Sequence, residues 1–295
     1  MYEQISENKR NTILLVLGFS IFITLLSWVL GEVWFSGGGL IGIILGVIFL
    51  VIFVGFNYFY GDKVVLSISG ARELQKNEQP YLFHLIEGLA LAAGIPKPKA
   101  YVIQDTALNA FATGRDPEHG VIVVTTGILQ KLNREELEGV IAHEMSHIKN
   151  YDIRLMMLIV VFVGLSALLS DILLRSVLWG RHDNKGGGQM QILLLVGGVI
   201  LAILTPIVAM LIKFAISRQR EYLADASAAQ LTRNPDGLAN ALKKISGDKE
   251  ILEAANKATA HLYIDNPLKN RNGLMDGMFS THPPAAERIK RLEAM

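Results

Sequence analysis

The 295-residue chain contains no cysteine. Disulfides, cysteine nucleophiles and thiolate metal ligands are thereby excluded, so any nucleophile or metal site must be built from Ser, His, Asp, Glu or water. Charge is also scarce: 19% of residues are charged against 51% hydrophobic, and the formal net charge is +1. That balance carries no basic footprint of the kind a nucleic-acid partner requires. Four stretches lack charge altogether, residues 11–31, 33–61, 155–170 and 186–212. A bilayer crossing takes about 20 residues. The first, second and fourth stretches reach that length, and the third reaches it if the lone Asp171 is tolerated.

Lys9 and Arg10 ahead of the first stretch imitate a secretory signal, but the apolar run exceeds the usual 7 to 15 residues and no small-x-small cleavage pattern follows. A retained anchor is expected. The glycine-rich turn at 31–39 has no Lys or Arg, whereas Lys9 and Arg10 precede the first pair of stretches and Lys63, Arg72 and Lys76 follow it. The positive-inside rule puts both flanks in the cytoplasm. The second pair is less clean, because Arg175, Arg181 and Lys185 lie between its members. Either it spans, or it forms a hairpin buried in protein. The resulting organisation is a membrane hairpin at 1–61, a first soluble half at 62–154, a second hydrophobic hairpin at 155–212 and a second soluble half at 213–295.

In the first soluble half, Leu82, Leu85, Ile86, Leu89 and Ala93 fall at helical spacing, and Gly94, Pro96 and Pro98 end that helix. Residues 100–104 and 121–126 read as strands, with 109–114 a third, shorter candidate. Asn133, followed by Glu135 and Glu136, starts another helix. The second soluble half reads as helical throughout, broken at Pro235, Pro267, Pro283 and Pro284.

The helix after Asn133 carries His143, Glu144, Met145, Ser146 and His147. Two imidazoles four residues apart lie one turn apart on one face, which suits two positions of a tetrahedral Zn²⁺, and Glu144 can reach a water there without ligating. A solvated amphipathic helix with surface histidines is the plain alternative, but Val140, Ile141 and Ala142 favour burial, where an unpaired polar trio is costly. A catalytic zinc takes a third protein ligand. The pattern that continues with glycine and a third histidine is absent, since Asn150 and Ile153 stand at those places. The candidate is Glu221, with Asp225 one turn further on to orient a ligating imidazole; alone, the two would read as solvated acids beside Arg218 and Arg220.

Together, His143-Glu144-Met145-Ser146-His147, Arg220-Glu221-Tyr222-Leu223-Ala224-Asp225, Asn109-Ala110-Phe111-Ala112-Thr113-Gly114 and Thr281-His282-Pro283-Pro284 followed by Arg288-Ile289 resemble the motif set of the HtpX family. These are membrane-integral zinc metalloproteases related to the CaaX prenyl proteases. The resemblance runs in family order over nearly the whole chain. It implies a mainly α integral membrane protein of four hydrophobic helices, with a small α+β catalytic domain of the zincin (gluzincin) type containing a short β-sheet. It implies one Zn²⁺ per chain on His143, His147 and Glu221, with Glu144 as general base and proton shuttle. Residues Asn109, Ala110, Phe111 and Ala112 are then an edge strand along which substrate binds extended; an ordinary core strand is the alternative. His282 either stabilises the oxyanion near the metal or caps the last helix, with Arg288 tying that helix to the domain.

The implied activity is proteolytic quality control, acting on membrane proteins or unfolded polypeptides at the cytoplasmic face of a bacterial inner membrane, multi-pass in the lipid bilayer and without nucleic acid. A prenyl-protein CaaX-type protease and a scaffold with structural zinc are the other readings. With continuous helices leading from the motif to the apolar stretches, the metal is expected about 12 to 14 Å from them. His84, His119, His182 and His261 have no partner at ligand spacing and are read as surface residues.

Overall fold

The computed structural model describes residues 2–34, 37–179, 218–255, 259–267 and 283–295. The first two charge-poor stretches form helices α1 (Tyr2–Trp34) and α2 (Gly39–Ile68). Among the described residues, two helical segments are long and apolar enough to cross a membrane, Ile5–Glu32 and Gly39–Ile68. They pack against each other through small residues: a Cβ on Gly42 would run into the Ser27 carbonyl of α1, the close backbone approach by which apolar helices associate without a hydrophobic driving force. Their outer faces leave Leu17, Ile21, Ile44 and Ile48 exposed. Such an apolar surface is far larger than isolated solvent-exposed leucines account for.

Four strands make the sheet: β1 (Arg72–Glu73), β2 (Lys99–Ile103), β3 (Ala110–Thr113) and β4 (Val121–Thr125), in the order β1-β2-β4-β3. β2 and β4 run parallel, and the outer pairs are antiparallel. The three strands expected from the sequence are present; β1 has only two residues, too few to show a period. All five β4 residues are buried. Because side chains alternate across a strand, Ile122 and Val124 enter one core while Val121 and Val123 enter another.

The first core holds the helices of both soluble halves. These are α3 (Pro80–Ala93), closed by Gly94 at φ 71°, then α4 (Thr126–Lys131), α5 (Arg134–Lys149), α7 (Arg218–Thr232), α8 (Pro235–Gly247) and α9 (Ala285–Leu292). The second core joins the sheet to α1, α2 and α6 (Asp152–Trp179). Phe162 of α6 stacks on Phe19 of α1 with ring centroids 4.0 Å apart. The sheet is therefore a layer between the helices of the first core and the α1–α2 pair with α6. The third charge-free stretch lies within α6, whose residues from Leu155 to Val163 are buried. The fourth stretch and the basic residues Arg181 and Lys185 lie outside the described residues.

Two expectations are corrected. The helix from the histidine motif does not continue into the third stretch: α5 ends at Lys149, Tyr151 turns left-handed at φ 62°, and α6 starts at Asp152. A distance to the apolar stretches counted along one straight helix therefore does not apply on that side. Nor is the second soluble half helical throughout. Between α8 and residue 267 the described chain is irregular apart from one 3₁₀ turn at Ala260–Leu262. Its backbone and caps bond to the first half instead, with Glu253 N–H donating to the Asp105 carboxylate, the Asp248 carboxylate accepting from Leu108 N–H, and Ile264 N–H donating to the Ala110 carbonyl.

α5 and α8 touch at Gly139, where a Cβ would stand 2.6 Å from the Leu238 nitrogen. Backbone cannot swing aside as a side chain can, so Gly139→Ala is expected to destabilise the fold by about 1–3 kcal/mol. Thermal unfolding in detergent checks this; an unchanged Tm would show that the two helices separate freely.

Candidate active site

α5 begins on a capping box. The Asn133 side chain accepts from the Glu136 N–H at 2.9 Å, and the Glu136 carboxylate accepts from the Asn133 N–H at 2.8 Å while also pairing with Lys244 Nζ at 2.7 Å. This start sets the rotation of the helix. Val140, Ile141, Met145 and Ile148 enter the first core, and His143, Glu144 and His147 are buried on the face that meets α7 and the start of α6.

His143 Nε2 and His147 Nε2 lie 3.2 Å apart. α7 crosses α5 and brings one Glu221 carboxylate oxygen, Oε2, 3.7 Å from the first and the other, Oε1, 3.6 Å from the second. Four ligands at about 2.0–2.1 Å from one ion stand about 3.3–3.4 Å from each other in a tetrahedron. The trio could thus share a metal ion with small adjustments. Both imidazoles are also oriented from behind, His147 Nδ1 by Asp152 at 2.9 Å and His143 Nδ1 by Asp225 at 3.0 Å. A carboxylate on Nδ1 holds the proton there and turns the Nε2 lone pair to the common centre.

The surrounding charges suit a cation. Burial holds His143 down at about 4, with the Arg288 and His147 charges adding to it against Asp225, so this ring is neutral as a ligand must be. Burial alone would lower His147, yet the bond to Asp152 and the carboxylates of Glu221 and Glu144 lift it to about 9. Burial pushes Glu144 up to about 7, with the Glu221 charge adding to it and the His147 charge and a hydrogen bond from the Ala112 backbone opposing. Burial would raise Asp225, but the Arg288 charge and the bond to His143 hold it near 2.

Arg288 is fully buried and clamps Asp225 through Nε at 2.9 Å and a terminal nitrogen at 2.7 Å. Its third bond goes to the Ile264 carbonyl at 3.0 Å, and it stands 3.6 Å from Glu221. Asn109 precedes β3, and its side chain donates to the Asp265 carbonyl. Ala110, Phe111 and Ala112 lie in β3, which ends the sheet. The Ala110 carbonyl is bonded by Ile264 N–H, the Ala112 N–H meets Glu144, and Phe111 packs edge-on against Tyr263. The structure thus gathers His143, Glu144, His147, Glu221, Asp225, Arg288 and the β3 segment in one place. His282 and His182 lie outside the described residues.

His84 and His119 are at the surface as expected, but His261 is not: it is buried and bonded to the Met156 carbonyl at 3.3 Å. Its lack of a partner at ligand spacing says nothing of a carbonyl offered by a distant helix. Asp152 was also missed. It follows the break at Tyr151, so no helical spacing ties it to His147.

Residues 76–295 match the model of peptidase family M48. The protease HtpX homolog of Dictyoglomus thermophilum is 49% identical over 296 residues, covering 100% of this chain and 94% of that relative. The HtpX homolog of Thermoanaerobacter pseudethanolicus is 45% identical over 300 residues, covering 100% and 98%. The crystal structure of S. mikatae Ste24p shares the fold, with a TM-score of 0.50 at 21% identity; it covers 92% of this chain, which spans 62% of that one. Two histidines and a glutamate placed to hold a metal ion beside a sheet edge, two membrane-length helices and full-length likeness to HtpX proteases agree, and the chain belongs to peptidase family M48 as a membrane-bound metalloprotease of the HtpX type.

Proposed function

We propose that this chain is a zinc endopeptidase that cleaves damaged or misfolded membrane proteins at the cytoplasmic face of the membrane, with His143, His147 and Glu221 as the metal ligands. The observation that carries the reading is the convergence of these three donor atoms within 4.8 Å of one another, with both imidazoles held from behind by carboxylates. The all-nitrogen-and-oxygen donor set with two histidines suits Zn²⁺. A bound zinc lowers the pKa of water toward about 7 and polarises the scissile carbonyl.

The protein's own residues do the rest. Glu144 lies beside the trio, and its carboxylate takes a proton from the attacking water as the new C–O bond forms. As the C–N bond breaks, Glu144 returns that proton to the leaving amine. Asp152 and Asp225 keep the imidazole tautomers fixed. Arg288 positions Asp225 and offsets the negative charge of Glu221 and Asp225. The segment from Asn109 to Ala112 binds substrate as an added strand; β3 is terminal in the sheet and adjoins Glu144, and an incoming chain displaces Ile264 from the Ala110 carbonyl.

The cytoplasmic orientation is supported by the basic residues on both flanks of the first hairpin and their absence from its turn. Four apolar stretches support four membrane helices around a gluzincin-type domain. The test is proteoliposome-reconstituted protein offered a membrane protein in folded and denatured form. Preferential cleavage of the denatured form, stopped by a chelator and restored by zinc, is expected. Chelator-resistant cleavage would sink the metal reading, and preference for an isoprenylated peptide would move the substrate class to CaaX-type processing.

A further inference from the structure

We propose that Asn8, at the start of the first membrane helix, is a positioning residue for the metal-binding cluster and tunes metal affinity through its own bond to Asp152. The inference rests on the assignment of His147 as a metal ligand. Asn8 is 3% exposed, and its side-chain amide donates to Asp152 Oδ1 at 2.5 Å and to the Asn150 carbonyl at 2.8 Å. Asp152 is buried completely; its other oxygen holds His147 Nδ1 at 2.9 Å, and Arg220 Nε approaches Oδ1 at 2.9 Å. One carboxylate therefore gathers donors from α1, α5 and α7, the last through the residue directly before Glu221.

Asn8 sits in the polar first turns of α1, beside Glu7, Lys9 and Arg10, yet it is buried, and a buried carboxamide is costly unless it is hydrogen-bonded within the protein. Here the partner is the group that orients a ligand. With Asn8 removed, Asp152 keeps Arg220 but loses the bond that stops its rotation about the end of α5. The His147 ring is then held in a broader range of orientations, and partners behind a ligand typically change metal affinity by about 10- to 100-fold. Linkage makes the coupling reciprocal: metal binding must strengthen the Asn8–Asp152 contact by the same factor.

The experiment is a competitive titration with zinc, and with cobalt(II) read by its visible absorption, on detergent-solubilised full-length wild type, Asn8→Ala and Phe19→Ala. Phe19 packs α1 onto Phe162 without touching the cluster. Asn8→Ala is expected to weaken metal binding about tenfold and to alter the cobalt spectrum. Phe19→Ala should lower Tm while both readouts stay at wild-type values. Asn8→Gln, which keeps the amide donor, should recover part of the affinity, and hydrogen exchange near residue 8 should slow on metal addition in wild type but not in Asn8→Ala. If Asn8→Ala yields no folded protein, Asn8→Ser is read the same way. An unchanged dissociation constant in the Asn8 variant, or an equal loss in Phe19→Ala, overturns the coupling. Failure of wild type to bind either metal overturns the ligand assignment itself.

Discussion

Glu144→Gln is expected to lower peptide hydrolysis by about 10²- to 10⁴-fold, the range contributed by a positioned general base, while metal content stays at the wild-type level. Glutamine matches glutamate in size, so the packing around a side chain that is 1% exposed is conserved. What is lost is the ability to accept a proton from water and return it. Retained turnover in this variant, measured on a denatured membrane protein, would mean that another group is the base. The same substitution carries a stability signature. Burial raises the Glu144 carboxyl to about 7, with the Glu221 charge adding to it. The folded metal-free chain thus holds that proton more tightly than the unfolded chain, and stability falls as pH rises from the unfolded value near 4.5 through about 7. Replacing the acid removes that loss. Metal-free Glu144→Gln should be more stable than wild type at pH 8 by on the order of 1–3 kcal/mol, with the gap closing at pH 5. A gap independent of pH would show that the carboxyl is not held protonated.

Glu221→Ala is expected to abolish stoichiometric metal binding and, with it, activity. Two imidazoles at 3.2 Å form half of a tetrahedral set, and loss of a ligand should exceed the roughly 10- to 100-fold cost of losing a group behind one. The variant also leaves Arg288, 3.6 Å from the missing carboxylate, with Asp225 as its remaining clamp at 2.7 Å. A moderate fall in Tm should accompany the metal loss. Metal content of the purified variant by elemental analysis decides the matter: one zinc per chain would show that a different residue completes the site. Because Glu221 and Glu144 are both buried acids beside the same histidines, the pair of variants separates holding the metal from moving the proton.

Several parts of this architecture were legible because they follow from short-range geometry. Asn133 and Glu136 close a capping box whatever surrounds them. The four-residue spacing of His143 and His147, and of Glu221 and Asp225, puts each pair on one helix face. The apolar patterns at Pro80–Ala93 and in the β2 and β4 segments matched the elements that formed. Runs without charge marked the two membrane-length helices. Motif order over the whole chain supplied the family likeness.

Other parts were not legible, and each depends on contacts between distant segments. Tyr151 adopts φ 62°, a conformation that a tyrosine takes up only under tertiary constraint, and that turn alone brings Asp152 back to His147. The described residues between Asp248 and Ile264 are not helical apart from one 3₁₀ turn, and the first half offers partners for polar groups of this segment, at Asp105, Leu108 and Ala110. His261 is buried for the same reason, meeting a carbonyl of α6 that lies 105 positions earlier in the chain. Residue types, periods and spacings by themselves determined the membrane-length helices, α3, the motif helix, β2, β3 and β4, and the chemistry that the side chains can perform. Only the tertiary structure decided that Asn8 of a membrane helix, His147 of the motif helix and Arg220 beside Glu221 meet at one carboxylate, since convergence in space is set by packing and has no period along the chain.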